Sequence, residues 1–314
     1  MSIALVFPGQ GSQSVGMLAA LAVAHAAVRD AYARASSALG FDLWSVVAEG
    51  PAERLNATEI TQPAMLVADV VTYEIWCAQG GSAPNAVAGH SLGEFAALVC
   101  AQALAFEDAV QLVHFRGRIM QQAVPAGAGA MAVLLGLEDD QVEQVCAEAG
   151  QGEVVEAVNF NSPGQVVIAG NAAAVQRALT LAKQRGCKRA QALPISVPAH
   201  SSLMRAAGTK LEQRLAQIEV RRPICRFISA VDAMEHSAPE DIRATLVRQL
   251  ASPVRWPQTV RALLQHASIL IESGPGKVLT ALNRRIDRNA RCFALEDPES
   301  VAAALAASAG EAHA

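Results

Sequence analysis

Between residues 86 and 100 the chain passes from a short apolar run, Ala86-Val87-Ala88, through Gly89-His90-Ser91-Leu92-Gly93-Glu94, into an apolar helical pattern that continues to Cys100. A serine flanked by glycines at a strand-to-helix junction constrains the fold more than any other stretch. Strand and helix must come within backbone contact there, which glycine permits, and the serine is left in a strained conformation with its hydroxyl exposed. The N-terminus of the helix lies beneath it and favours negative charge at that point. Taken alone, the stretch fits two readings: Ser91 is a catalytic nucleophile, or it caps the helix that follows.

Upstream, Ile3 to Phe7 reads as a buried parallel strand. It enters Pro8-Gly9-Gln10-Gly11-Ser12-Gln13, a tight loop whose N–H groups can approach a ligand or which simply turns the chain. A serine nucleophile attacking a carbonyl needs two N–H donors for the oxyanion, from different loops. Gln10 is the candidate for one and Leu92, the residue after the nucleophile, for the other. An Ala-rich helical pattern runs to about Leu39, a polar connection follows, and a second helix is expected from Pro63 to Ala78 with proline in its first turn. The helix after Phe106 has Val110, Val113 and Ile119 on one face, and Arg116 falls among them. Such an arginine either snorkels to the surface or points inward as a fixed cation that requires an anionic partner.

From Gly129 the pattern changes. A strand at 129–135, a helix at 138–149, strands at 154–160 and 165–169, a helix at 171–185 and a strand at 188–195 give the order βαββαβ of a ferredoxin-like unit. After it the earlier α/β style resumes, with a strand at 226–230, helices near 240–250 and 257–265, a strand at 268–272 and a last helix after Gly274-Pro275-Gly276. The expected organisation is therefore a parallel-sheet α/β body formed by 1–127 and 199–314, carrying an inserted ferredoxin-like subdomain at 128–198. The Ala-rich end, 301–314, reads as a fraying helix.

Composition narrows the function classes. With 52% apolar and 17% charged residues among 314, the chain is not disordered, and a net charge of −4 does not suggest nucleic acid. Aromatics at 4% favour helix-rich layers over a β-sandwich. Cys77, Cys100, Cys146, Cys187, Cys225 and Cys292 are scattered without a paired motif and read as reduced core thiols of a cytosolic protein. The first residues lack a basic n-region and read as a strand, and the longest Ala/Leu/Val-rich run, Met17 to Val28, is well short of the roughly 18–20 residues of a membrane span.

A serine nucleophile requires a base, and histidine suits that task at neutral pH. Of the seven histidines, His90 adjoins Ser91 and is expected to support the turn, while His25, His114, His236, His266 and His313 lack a distinctive setting. His200 differs. Pro194 and Pro198 keep its approach out of helix and a helix begins directly after it, at the junction where the inserted unit rejoins the body. That placement faces it into an interdomain cleft, the usual ligand site. The alternative is a surface neighbour of a helix N-cap. No carboxylate stands out as its orienting partner, a role that a backbone carbonyl fills equally well.

Together, Gly9-Gln10-Gly11-Ser12-Gln13, Gly89-His90-Ser91-Leu92-Gly93-Glu94, Phe115-Arg116-Gly117-Arg118, Asn159-Phe160-Asn161-Ser162-Pro163-Gly164-Gln165, Val197-Pro198-Ala199-His200, Arg248-Gln249-Leu250 and Gly274-Pro275-Gly276-Lys277-Val278-Leu279 resemble, in this order, the malonyl-CoA:acyl carrier protein transacylases of bacterial fatty-acid synthesis. The resemblance covers nearly the whole chain. It implies a hydrolase-like α/β body with the inserted subdomain, and a ping-pong transfer of malonyl from CoA through an ester on Ser91 to the phosphopantetheine thiol of acyl carrier protein. It further implies His200 as base, the main-chain carbonyl of Gln249 as its orienter, Gln10 and Leu92 as oxyanion donors and Arg116 as partner of the malonyl carboxylate. Ala199 lines the acyl pocket by position, where some relatives carry serine or phenylalanine. No metal or redox cofactor is implied, the expected working unit is a cytoplasmic monomer, and nucleic acid and membrane are not expected partners. Lys183, Arg185, Lys188, Arg189, Arg284, Arg285 and Arg288 are either a docking face for an acidic carrier or solvated helix surface. The same architecture would serve carrier loading in polyketide synthesis or malonate decarboxylation, and a serine thioesterase would share Ser91 and His200 without a use for Arg116.

Overall fold

The computed structural model describes residues 1–309. Two sheets organise the chain. The first has the order β11-β10-β1-β2-β7-β8, built from β1 (Ile3–Phe7), β2 (Ala86–Gly89), β7 (Arg226–Ile228), β8 (Glu235–His236), β10 (Ile269–Glu272) and β11 (Arg291–Ala294). Its strands run parallel except for the pairing of β7 with β8. Every residue of β1, β2 and β10 is buried, as expected of central strands covered on both faces. The C-terminal ends of β1 and β2 deliver the Pro8–Gln10 loop and the Gly89–Gly93 turn to one edge of the sheet, where parallel α/β folds bind ligands.

The second sheet has the order β6-β3-β5-β4-β9, from β3 (Gly129–Leu135), β4 (Val155–Ser162), β5 (Gln165–Asn171), β6 (Arg189–Ala192) and β9 (Val254–Arg255). Helices Asp139–Gly150 and Ala172–Gln184 pack on it and enclose a small core of their own around Leu134, Val145, Phe160, Ile168 and Leu179. The expected strand at 188–195 closes earlier, at Ala192, where Leu193 N makes the last bond to Met131 O (2.9 Å) and Pro194 follows. Strand β9 was not anticipated. It comes from the body, and runs parallel to β4 in the register Asn159↔Val254 and Phe160↔Arg255.

Several expected boundaries change. The helix placed at 63–78 spans Thr58–Ala78, so Pro63 lies inside it and not in a first turn beginning at 63. Proline cannot donate to the carbonyl four residues back. That carbonyl, Glu59 O, instead bonds His114 Nδ1 at 2.9 Å, so the missing helix bond is replaced from a neighbouring helix. The Ala-rich pattern is two helices, Ala19–Ala24 and Ala27–Leu39, and the polar connection contains short helices at Leu43–Glu49 and Ala52–Leu55. The first of these is capped by Asp42, which accepts from Ser45 N at 3.1 Å. The last helix, Pro298–Ala309, covers part of the expected 301–314 helix, and positions 310–314, His313 included, lie outside the described residues. Cys77 is exposed where a core thiol was expected, whereas Cys100, Cys146 and Cys292 are buried. Among the described residues no helix is long and apolar enough to cross a membrane.

Candidate active site

Ser91 sits between β2 and the helix Gly93–Cys100 with φ 53°, a left-handed backbone that a serine adopts only when its surroundings enforce it. The enforcement is steric. A Cβ on Gly89 would stand 1.9 Å from the carbonyl carbon of Gly93, and one on Gly93 would stand 2.0 Å from Phe7 O. The turn is fixed by His90 N to Phe7 O (2.9 Å) and Gly93 N to His90 O (3.1 Å). The His90 ring supports the turn from outside: its Nε2 bonds Asn161 Oδ1 of β4 at 2.9 Å and it packs on Trp256. Within the described residues the N–H groups of Gln10 and Leu92 donate to no other group, and both residues line the same cleft.

His200 reaches Ser91 from a distant part of the chain, with Nε2 2.7 Å from Ser91 Oγ. It too has a left-handed backbone, φ 67°. The helix Pro239–Gln249 holds it in place. The last carbonyls of a helix lack partners inside it; here Leu250 O accepts from His200 N at 3.0 Å, and Gln249 O bonds His200 Nδ1 at 2.8 Å. A carbonyl can only accept, so Nδ1 carries the proton and Nε2 presents its lone pair to the serine hydroxyl. The ring is 4% exposed, and burial, reinforced by the charge of Arg116, lowers its pKa from 6.5 to about 3, against the raising effect of the Gln249 carbonyl. An unfolded chain would therefore take up a proton on this residue first, and the group costs stability as pH falls below 6.5. The expected observation is an imidazole Cε1–H resonance of His200 that does not titrate between about pH 5 and 8 in the substrate-free protein. A titration step inside that window would contradict the buried neutral base.

Arg116 points inward. It is 1% exposed, and its Nη2 donates to Ser91 Oγ at 3.2 Å and to Gln249 Oε1 at 2.9 Å. Its Nε has no partner, and among the described residues no carboxylate lies within ion-pairing distance of it. Burial lowers its pKa to about 10, so it remains a cation at neutral pH. Gly117, next in the helix, lets that helix approach residues 58–59 closely: a Cβ there would lie 2.6 Å from Glu59 Cα.

The cleft above these groups has a volume of about 520 Å³. Gln10, Ser91, Leu92, Arg116 and His200 line it from the body, Met131, Val133, Asn159 and Asn161 from the second sheet, and Ala199 from the junction. Gln249 is not one of its wall residues and touches the site through Arg116, Ser91 and His200. All six positions singled out in the sequence are thus gathered at one place. Two participants were missed: the Gln249 side chain, and Glu94, which is wholly buried and accepts from Gln249 Nε2 at 2.7 Å. One signal for Glu94 was available, since it is the only charged residue in the apolar helix Gly93–Cys100. Of the basic residues noted above, Arg185 pairs with Glu148, Arg189 with Gln191, Arg284 with Cys292 O (2.8 Å) and Arg285 with Gln165 (2.9 Å).

Comparison with known proteins gives a consistent result. The family model described as acyl transferase domain matches residues 4–291. The malonyl CoA-acyl carrier protein transacylase of Escherichia coli (strain K12) is 51% identical over 303 residues, covering 96% of this chain and 98% of that protein. That of Bacillus subtilis (strain 168) is 41% identical over 305 residues, covering 96% of each. Among solved structures, an acyl carrier protein S-malonyltransferase from Vibrio cholerae superposes with a TM-score of 0.93 at 50% identity, over 97% of this chain and 100% of that one. A malonyl-transacylase solved in complex with a type II PKS acyl-carrier protein gives 0.96 at 48% identity, over 97% and 99%.

Proposed function

The chain belongs to the acyl transferase domain family, as one of its malonyl-CoA:acyl carrier protein transacylases, and from that premise we infer that it moves malonyl through an ester on Ser91 to the phosphopantetheine thiol of an acyl carrier protein. In the first half-reaction His200 Nε2 takes the Ser91 proton as Oγ attacks the thioester carbonyl. The oxyanion lies between the N–H groups of Gln10 and Leu92. Collapse breaks the C–S bond, and His200 returns the proton to the departing CoA thiolate. In the second half-reaction the carrier thiol gives its proton to His200, sulfur attacks the ester, and Ser91 Oγ leaves with that proton.

The observation that carries this reading is the buried, unpaired Arg116 cation 3.2 Å from Ser91 Oγ. It has no use in hydrolysing a neutral acyl group, and it is complementary to the free carboxylate of malonate. It also couples recognition to chemistry. In the free site the Arg116 charge holds down the basicity of His200, and a bound carboxylate neutralises that charge, so the imidazole becomes a better base once an acidic acyl group is seated.

The same reading takes the inserted unit, 128–198, to be ferredoxin-like against a hydrolase-like body of 1–127 and 199–314, supported by the strand order β6-β3-β5-β4 and by its separate core. It takes the reaction to be cytoplasmic, with one chain as the working unit and the CoA thioester as the only small-molecule requirement. The carrier would dock on exposed basic residues, Lys183, Lys188 and Arg288 among them. A polyketide carrier is a second possible acceptor, supported by the likeness to the transacylase bound to a type II PKS carrier. The test is to offer labelled malonyl-CoA with fatty-acid, polyketide and malonate decarboxylase carrier proteins in holo and apo forms. Label is expected on the holo fatty-acid carrier and on none of the apo forms. Release of free malonate faster than transfer to any thiol would make the chain a thioesterase instead.

A further inference from the structure

The carboxamide of Gln249 lies between two opposite charges. Its Oε1 accepts from Arg116 Nη2 at 2.9 Å, while its Nε2 donates to Ser91 O at 3.0 Å and to Glu94 Oε2 at 2.7 Å. The other oxygen of Glu94 accepts from Ser229 Oγ at 2.9 Å and from Ala230 N at 2.5 Å. Glu94, Arg116, Ser229 and Gln249 are each at most 1% exposed, so water does not substitute for a lost bond.

We propose that Glu94 is a positioning residue for malonyl recognition: its carboxylate fixes which way the Gln249 carboxamide faces, and so holds Arg116 in place without forming an ion pair with it. The proposal rests on the role of Arg116 argued above. Both Glu94 oxygens accept in every bond they make, so although burial pushes the carboxyl up to about 7, in this arrangement it takes the amide NH₂ and turns the amide oxygen to the guanidinium. The amide then bonds Arg116 without neutralising it. A carboxylate in direct contact would satisfy the cation and compete with the substrate acid, whereas the interposed amide leaves Nε and Nη1 uncommitted among the described residues. The Ser91 carbonyl, at the strained turn, is tied down by the same NH₂.

Glu94→Gln tests this with almost no change of shape. The main-chain N–H of Ala230 demands an acceptor, so the new side chain keeps its oxygen there and turns its NH₂ toward Gln249. The Gln249 amide must then invert, placing donor against donor at Arg116 and leaving Ser91 O unpaired. The expected result is a loss of roughly 30-fold in kcat/KM for malonyl-CoA, carried mainly by KM, with acetyl-CoA transfer, which shares only the unpaired Ser91 O, falling at least about 5-fold less. The exchange variant Glu94→Gln with Gln249→Glu satisfies the bonds at both Arg116 and residue 94, and gives a readout even if the single variant does not fold. It sets a carboxylate directly on the guanidinium, so the malonyl preference should stay at least about 10-fold below wild type while acetyl transfer persists. Parallel losses for both acyl groups in Glu94→Gln, no loss at all, or a wild-type malonyl preference in the exchange variant would each overturn the proposal. Wild-type ester formation on Ser91 and the dependence on Arg116 are measured alongside, so failure of the reading itself is seen separately.

Discussion

Ser91→Ala should leave a folded protein that takes up no malonyl group. Intact-mass measurement after mixing wild type with malonyl-CoA should show an adduct of one malonyl per chain, which the variant lacks, and transfer to carrier should fall by at least about 10³-fold. The geometry is the reason: among the described residues Ser91 Oγ is the hydroxyl held 2.7 Å from His200 Nε2, and the fully buried β2 in front of it does not need the hydroxyl to fold. Circular dichroism should be unchanged. An adduct of the same mass on the variant would remove Ser91 as the acylated residue.

Arg116→Ala should separate the two acyl groups. On the proposed reading the malonyl carboxylate would lose the buried cation that pairs with it, a loss of roughly 2–5 kcal/mol for a desolvated pair, which is about 30- to 5,000-fold in kcat/KM for malonyl-CoA. Acetyl-CoA, with no second charge, should be affected far less, so the preference for malonyl collapses while Ser91 is still acylated. Equal losses for the two donors would take Arg116 out of the acid pocket.

The local parts of this site are legible in the sequence because each is enforced over a few residues. Gly89 and Gly93 are required by backbone contacts that no Cβ could survive, and Pro194 and Pro198 keep the approach to His200 out of helix. An arginine on the same stretch as Val110, Val113 and Ile119 leaves two readings open, surface or inward, and the fold settles them by burying Arg116. What stayed hidden is long-range. Strand β9 is two residues long and carries no periodic pattern, so its pairing with β4 exists only once both units are folded. The contact of Gln249 with Glu94 joins residues 155 positions apart, and nothing near Gln249 marks its side chain as different from any glutamine at a helix end. Pro63 misled for the opposite reason: its local preference for a helix start is overridden because His114 takes up the carbonyl it leaves free.

The pairing of Val254 and Arg255 with β4 also bears on how such an enzyme cycles between a CoA thioester and a protein-borne thiol. Because a body segment is woven into the second sheet, and Asn161 and Glu156 of β4 are bonded to His90 and Ser202 of the body, the two lobes cannot swing apart like jaws without tearing backbone pairing. On the ester mechanism proposed above, CoA and the carrier thiol would then reach Ser91 in turn through the same standing cleft, with no lobe rotation between the two visits.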